Sequence, residues 1–382
     1  MFKQTCRQIG RGVLLAGLAT GALACQAETT KATSTTSTQT SFQPLGYFMM
    51  VDGTLGVIDL FTLDVKQKIK VGHTAVHQVA VLPGNRVIYT GNPDTNEIVK
   101  LTISDDGKSY TSKVIAKSPL NLHLFAASPS GDKVVMTSRI ELRDDVVSTP
   151  SNLPDDGILI IDTATDQIIK TLTLQSPAMA EFAPDGKTVY VSNVHHASVS
   201  VVDTSTWTET ARWNVTDQKL PALGADGKDR VSPDGMTVSR DGKWVATADY
   251  DLQTVSLFEI ANPANRRQIA YTALPHDVRF SPDSKELWVT DFERHPKPAD
   301  EVGNAKMVTH IRVFEVAGLT QTREIKSPVM IQRTALPQYS KNAYLTTGLG
   351  GLVVFDRTTG ELVGEQEVGG LGRPVICGMS TY

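Results

Sequence analysis

The stretch Tyr190–Val215, YVSNVHHASVSVVDTSTWTETARWNV, carries β-branched segments separated by short polar turns, and it is one unit of a pattern that recurs along the chain. Each unit opens with an apolar strand and a Pro-Asp-Gly or similar turn. A second β-branched strand, a polar turn and a third strand ending in Asp follow. Upstream, the pattern reads HQVAVLPGNRVIYTGNPDTNEIVKLTI from His77 and HLFAASPSGDKVVMTSR from His123. Downstream, it reads MTVSRDGKWVATADYDLQTVSLFEI from Met236, HDVRFSPDSKELWVTDF from His276 and IQRTALPQYSKNAYLTTGLGGLVVFDRTTGELVGEQEV from Ile331.

Apolar and polar residues alternate with period two, and Gly, Asp, Asn and Pro mark the turns, as in short antiparallel strands. A four-stranded repeat of roughly 40 to 50 residues is a propeller blade. The N-terminal piece YFMMVDGTLGVIDLFTLDVKQKIKV, from Tyr47, supplies only the last strands of a blade, and its missing inner strand is expected in RPVICGMS, from Arg373. Six full units and this shared one predict an all-β, seven-bladed propeller of four-stranded antiparallel blades. Pairing of the N- and C-terminal strands would close it, so that no sheet edge stays open.

Tyr190-Val191-Ser192-Asn193 and the following Ser198–Thr204 strand resemble the YVTN family of bacterial β-propellers, and the resemblance covers about nine tenths of the mature chain. It implies a fold rather than an activity, since propellers host binding proteins, scaffolds and enzymes alike.

The first residues read as an export signal over 1–24: Lys3, Arg7 and Arg11 precede GVLLAGLATGALA, an apolar run too short for a comfortable membrane span. Ala22-Leu23-Ala24-Cys25 reads as a lipoprotein cleavage box acylated at Cys25, although Ala22 stands where such boxes usually carry Leu, and Ala22 and Ala24 also satisfy an ordinary signal peptidase site. Residues 25–44 form a Ser/Thr-rich tether, and 45–382 the propeller domain. A periplasmic or cell-envelope location follows, with membrane contact through a lipid anchor only. Three cysteines exclude a disulfide framework, and Cys377 reads as a small buried side chain. A formal net charge of -4 gives no reason to expect nucleic acid as a partner.

His77, His123 and His276 each sit six residues before a proline, Pro83, Pro129 and Pro282, so they occupy one position in three blades, at the start of the innermost strand. Asp234 and Ala178 stand there in two other units; in the last, one extra residue places the equivalent near Gln332. His195 and His196 fall in a turn opening on the same face, with His295, His310 and His73. Imidazoles with a carboxylate suit zinc or copper. The expected ligands are therefore His77, His123, His276 and Asp234, with His195, His196 and His295 as secondary candidates. A polar, water-filled channel mouth also accommodates histidines without any metal.

Three insertions, from Ile140, Thr216 and Glu293, rise from that face and suit a lid or a protein partner. The sequence has no Gly-x-Ser-x-Gly, HExxH or CxxC, and Gly348-Leu349-Gly350-Gly351 lies in a strand-to-strand turn, not a nucleotide loop. The expected function is a non-enzymatic binding protein that passes a transition metal to a partner, similar to periplasmic propeller metallochaperones. The alternatives are an interaction scaffold, a lactonase resembling the seven-bladed class with Glu141, Arg139 and His276 at its site, and a tetrapyrrole site resembling that of heme d1 proteins.

Overall fold

The computed structural model describes residues 44–50, 52–73, 76, 78–138, 157–218, 232–292, 309–327, 329–347, 350–367 and 376–380. The signal segment, the tether up to residue 43, Cys25, His77, Arg139, Glu141 and His295 lie outside the described residues, as does most of each insertion.

Seven sheets of four antiparallel strands stand in a ring, with no helix among the described residues. Blades are numbered here from the N-terminus, and the strands of each are called inner, second, third and outer. Blade 1 is the shared one. Its inner strand, Ile376–Ser380, pairs antiparallel with Leu45–Met50, in the register Tyr47↔Ser380 and Phe48↔Met379. The inner strands of blades 2 to 7 are Ala80–Val81, Leu124–Ala127, Pro177–Phe182, Gly235–Val238, Leu274–Phe280 and Ile331–Ala335. The seven-bladed architecture and its terminal closure are therefore as the repeat predicts.

The alternation in the second strands has a different meaning from the usual buried and solvated faces. Val87–Asn92, Lys133–Ser138 and Trp244–Asp249 are buried along nearly their whole length. A blade is sandwiched between two neighbours, so both of its faces are interior. The positions between the large apolar residues hold small hydroxyl side chains, among them Thr90, Thr137, Ser192 and Thr247, each fully buried. They let adjacent blades approach and hydrogen-bond locally: the Ser192 hydroxyl accepts the Met179 N–H (3.0 Å), and Thr346 accepts that of Arg333 (3.1 Å). Outer strands are largely exposed.

Each blade interface is an apolar cluster. Tyr190, Val199, Met236, Val245 and Phe258 pack between blades 4 and 5, and Ala246, Leu257, Val278 and Leu287 between blades 5 and 6. Trp213 lies between Tyr190 (ring centroids 5.3 Å apart) and Phe258 (5.6 Å), which accords with a packing role.

Polar latches join blades as well. The Tyr47 hydroxyl of blade 1 donates to the Asn85 carbonyl of blade 2 (2.6 Å), and the Tyr344 hydroxyl of blade 7 donates to the Leu60 carbonyl of blade 1 (2.7 Å). Tyr89 of blade 2 donates to Asp166 of blade 3 (2.7 Å), which also holds Lys100 (2.9 Å) and Lys113 (2.8 Å). Burial opposes ionisation of Asp166, but these three partners outweigh it and hold the carboxyl at about 2.

The aspartates ending the third strands are turn formers, as their recurrence suggests. Asp59, Asp162, Asp203 and Asp356 each accept backbone N–H groups two or three residues on, at 2.8–3.1 Å. Four residues after each, at Leu63, Asp166, Trp207 and Gly360, the chain passes through positive φ.

Candidate functional site

The inner strands of blades 4, 6 and 7 share a register irregularity, between Pro177 and Ala180, Pro275 and Asp277, and Ile331 and Arg333. A bulge adds an unpaired residue and re-aims its neighbours. His276 and Gln332 are the bulged residues of their blades, so the repeat alignment that set them equivalent to Ala178 is a statement about backbone geometry. The bulge turns the side chains after it towards the neighbouring inner strands.

A chain of charged groups results. His276 Nε2 lies 3.2 Å from Asp234 Oδ2, which lies 3.5 Å from Arg333 Nη1. Arg333 reaches Asp277 Oδ1 at 3.8 Å, and Arg279 Nη2 reaches the same oxygen at 3.4 Å. Arg279 Nη1 is then 3.9 Å from Glu181 Oε2. These six side chains come from four blades. Asp277 anchors them, buried, with its other oxygen accepting the Thr334 N–H (2.8 Å). Arg279 is fixed further by donating from Nη1 to the Met236 carbonyl (2.9 Å) and from Nε to that of Thr334 (3.2 Å).

Burial, and after it the Arg333 guanidinium, drives the His276 imidazole down to about 4 despite the Asp234 carboxylate. His276 is thus neutral at pH 7, and the Tyr250 ring meets it edge-on at 6.4 Å. Enclosure in the channel pushes Glu181 up to about 7 against the opposing Arg279 charge. The 37% of its side chain still open to channel water works against that rise.

Arg279 and Glu181 reach the central channel, a cavity of about 270 Å³. One side, from blades 4 to 7, is polar, with Glu181, Thr237, Arg240, Arg279 and Thr334. The other, from blades 2 and 3, carries Val79, Val81, Phe125, Ala126 and Ala127, with Gln78 as its polar side chain. At the end marked by the inner-to-second-strand turns, Arg240 Nη1 donates to Gln338 Oε1 (2.9 Å), joining blade 5 to blade 7.

Of the predicted ligand set, the structure brings His276 and Asp234 together. His123 is buried, with its Nδ1 3.3 Å from the Ala178 carbonyl. His195 is buried in the second turn of blade 4 and His196 is exposed there. His310 sits farther out in blade 6, 3.7 Å from Asp291, which Arg312 also binds (2.7 Å). Among the described residues, no three His, Cys, Asp or Glu side chains are grouped to hold a metal ion. The strand ends from which the insertions leave, at Ser138, Asn214 and Phe292, are on the His276 face.

Sequence reasoning missed Glu181, Arg279, Arg240, Asp277 and Arg333. A signal was present for two of them. Glu181 in AMAEFAP is a lone charge in an apolar inner strand, and Arg279 in HDVRFSP stands between the apolar Val278 and Phe280, each three residues before the turn proline.

The family described as lactonase, 7-bladed beta-propeller, matches residues 159–293, about a third of the chain, which include Glu181, Asp234, Arg240, His276 and Arg279. No curated protein matches the sequence. Among solved structures, a functionally unknown protein from Desulfotomaculum acetoxidans DSM 771 superposes with a TM-score of 0.62 at 13% identity, covering 86% of this chain and 98% of its own. Kuenenia stuttgartiensis hydrazine synthase superposes with a TM-score of 0.58 at 16% identity, covering 77% and 87%. At such identities these two likenesses concern the fold alone. The chain is a seven-bladed β-propeller whose middle third is similar to the lactonase family.

Proposed function

We propose that this propeller is a binding protein that holds a small polar organic molecule in its central channel without converting it. The observation that carries the reading is the two-sided channel, in which a fixed arginine and a water-accessible glutamate face a wall that is apolar except for Gln78 across about 270 Å³. Concave sites lined by apolar walls with a few placed polar groups are the usual form of small-molecule sites. The described lining residues include no serine, cysteine, lysine or histidine, and the Thr237 and Thr334 side chains are buried, which leaves Glu181 as the lining group placed to act as a general base. His276 is engaged with Asp234 behind the wall and serves to position Arg333 through that carboxylate.

A lactonase-type hydrolase is the second reading, favoured by the family match over 159–293. Arg139 and Glu141, which that reading would use, lie outside the described residues.

Both readings are tested by ligand-observed NMR with a panel of short carboxylates, amides, polyols and five- and six-membered lactones, using the wild type and Ala126→Phe. Ala126 lines the channel and also packs against the blade 3–4 apolar cluster, so the larger side chain narrows the channel, and an unchanged melting temperature checks that the blade interface is kept. Binding that disappears in Ala126→Phe, with every compound recovered intact, is the expected result. Loss of a lactone over time would replace the binding reading with the hydrolase. Binding unaffected by Ala126→Phe would remove the channel from either.

A further inference from the structure

We propose that the channel selects a small organic monoanion, a short-chain carboxylate whose carboxyl group lies against Arg279 and Arg240 and whose aliphatic body lies against blades 2 and 3. This rests on the channel-binding reading above and names its ligand class.

The charge distribution supports it. Three arginines, Arg279, Arg240 and Arg333, face three carboxyl groups, Asp234, Asp277 and Glu181. Asp234 and Asp277 are buried and committed to Arg333, His276 and Arg279 behind the wall. The channel itself therefore presents two guanidinium groups and one carboxyl. Arg240 has no carboxylate within ion-pair distance among the described residues, and its hydrogen bond goes to the neutral Gln338 amide. Arg279 is held by two carbonyls and Asp277, which pre-organises it at no further cost in side-chain freedom on binding. Its 3.9 Å separation from Glu181 is too long for a hydrogen bond. A ligand oxygen can insert there.

The opposite wall sets the rest of the ligand. Val79, Val81, Phe125, Ala126 and Ala127 offer no hydrogen-bonding side chain and Gln78 is the one polar side chain lining that side, so a sugar or other polyol would leave most of its hydroxyls without a side-chain partner there. A branched aliphatic carboxylate matches both walls.

Glu181 then sets the pH dependence. In its neutral form it donates to the bound carboxylate, and in its ionised form it repels it. With its carboxyl pushed up to about 7, anion binding draws in a proton. Free Glu181 is roughly nine-tenths neutral at pH 6 and one-tenth at pH 8, so affinity falls about tenfold between them, following the competent fraction.

The test is calorimetric titration of the full chain with 3-methylbutanoate, 3-methylbutanamide and inorganic phosphate at pH 6 and pH 8. The expected result is binding of the carboxylate, about tenfold tighter at pH 6, with the amide at least tenfold weaker. Glu181→Gln should bind the carboxylate with the same affinity at both values, and Arg240→Gln should weaken it while the protein stays folded at the titration temperature. The inference is overturned if the amide binds as well as the acid, if phosphate binds more tightly than the carboxylate, or if Glu181→Gln keeps the pH dependence. Amide or polyol binding that Ala126→Phe abolishes would leave the channel reading standing while this inference fails. No binding by any compound would remove both.

Discussion

Asp249 should make the propeller less stable as pH rises from about 4 to 7, and its asparagine variant should remove that loss. Asp249 ends the second strand of blade 5 and is fully buried. Its Oδ2 accepts the hydroxyls of Thr254 (3.1 Å) and Ser256 (2.6 Å), while Oδ1 has no hydrogen-bond partner among the described residues. Burial pushes the carboxyl up to about 7, only partly opposed by Ser256, Thr247 and Thr254. The equivalent residue of blade 4 is Asn193, whose Nδ2 donates to Ser198 (3.0 Å) and Ser200 (2.8 Å), five and seven residues on, as Thr254 and Ser256 are from Asp249. The repeat thus places a neutral amide where blade 5 has an acid.

Because the folded value is raised, the stabilising contribution is complete below the unfolded value of 3.8 and is lost as pH climbs through about 7. The rise from 3.8 to about 7 corresponds to about 4 kcal/mol at most. Asp249→Asn should match the wild type near pH 4 and exceed it by up to that amount at pH 8. At roughly 2 °C per kcal/mol for a large domain, the melting temperature would rise by about 8 °C at most. Glu181 tilts the wild-type curve the same way, and His276, lowered to about 4, tilts it in the opposite sense below 6.5. The difference between variant and wild type isolates Asp249. Parallel curves in denaturant titrations from pH 4 to 8, or a variant less stable at pH 8, would refute the reasoning.

Tyr344→Phe removes the hydrogen bond to the Leu60 carbonyl that latches blade 7 to blade 1 and should cost about 1–2 kcal/mol in denaturant unfolding, with the fold retained. Gly235→Ala should weaken channel binding without removing any charged side chain: a Cβ there would lie 2.6 Å from the His276 carbonyl and 3.1 Å from the Asp277 Cα. The inner strand of blade 6 would have to shift, carrying Arg279 with it. Unchanged affinity in calorimetry would show that the blade 5–6 spacing does not set the position of Arg279.

The fold was legible because its determinants are local and repeated. Asp203 followed by Ser205 and Thr206, or Asp356 followed by Thr358 and Thr359, specifies a turn within a few residues, and the same pattern returns blade after blade. The missing inner strand of blade 1 could be named because every other blade had one. The site was legible only in part. Aligning the units on their first turn placed His276 and Asp234 at one level of the ring, and they do meet. The same alignment blurred at Gln332, and the blur hid Arg333, whose side chain is directed by a bulge that no local spacing reveals. Glu181 and Arg279 are 98 residues apart in sequence and adjacent only because blades 4 and 6 share one axis. Their burial and mutual charge, which give them their chemistry, are properties of the closed ring.

The pairing of Ile376–Ser380 with Leu45–Met50 gives the chain an order of assembly. The strand that completes blade 1 follows the strands of all six other blades in the chain, so a nascent propeller carries an unsatisfied sheet edge until that strand is made. Closure of so long a loop adds little entropic cost beyond that of a much shorter one, yet it must wait for those last residues. A circular permutant with its original ends joined and new ends between Gly72 and His73, in the connection from blade 1 to blade 2, would place all four strands of blade 1 in one run of the chain. Comparing its folding rate and aggregation with those of the native order would show how far the late strand controls the yield of closed rings.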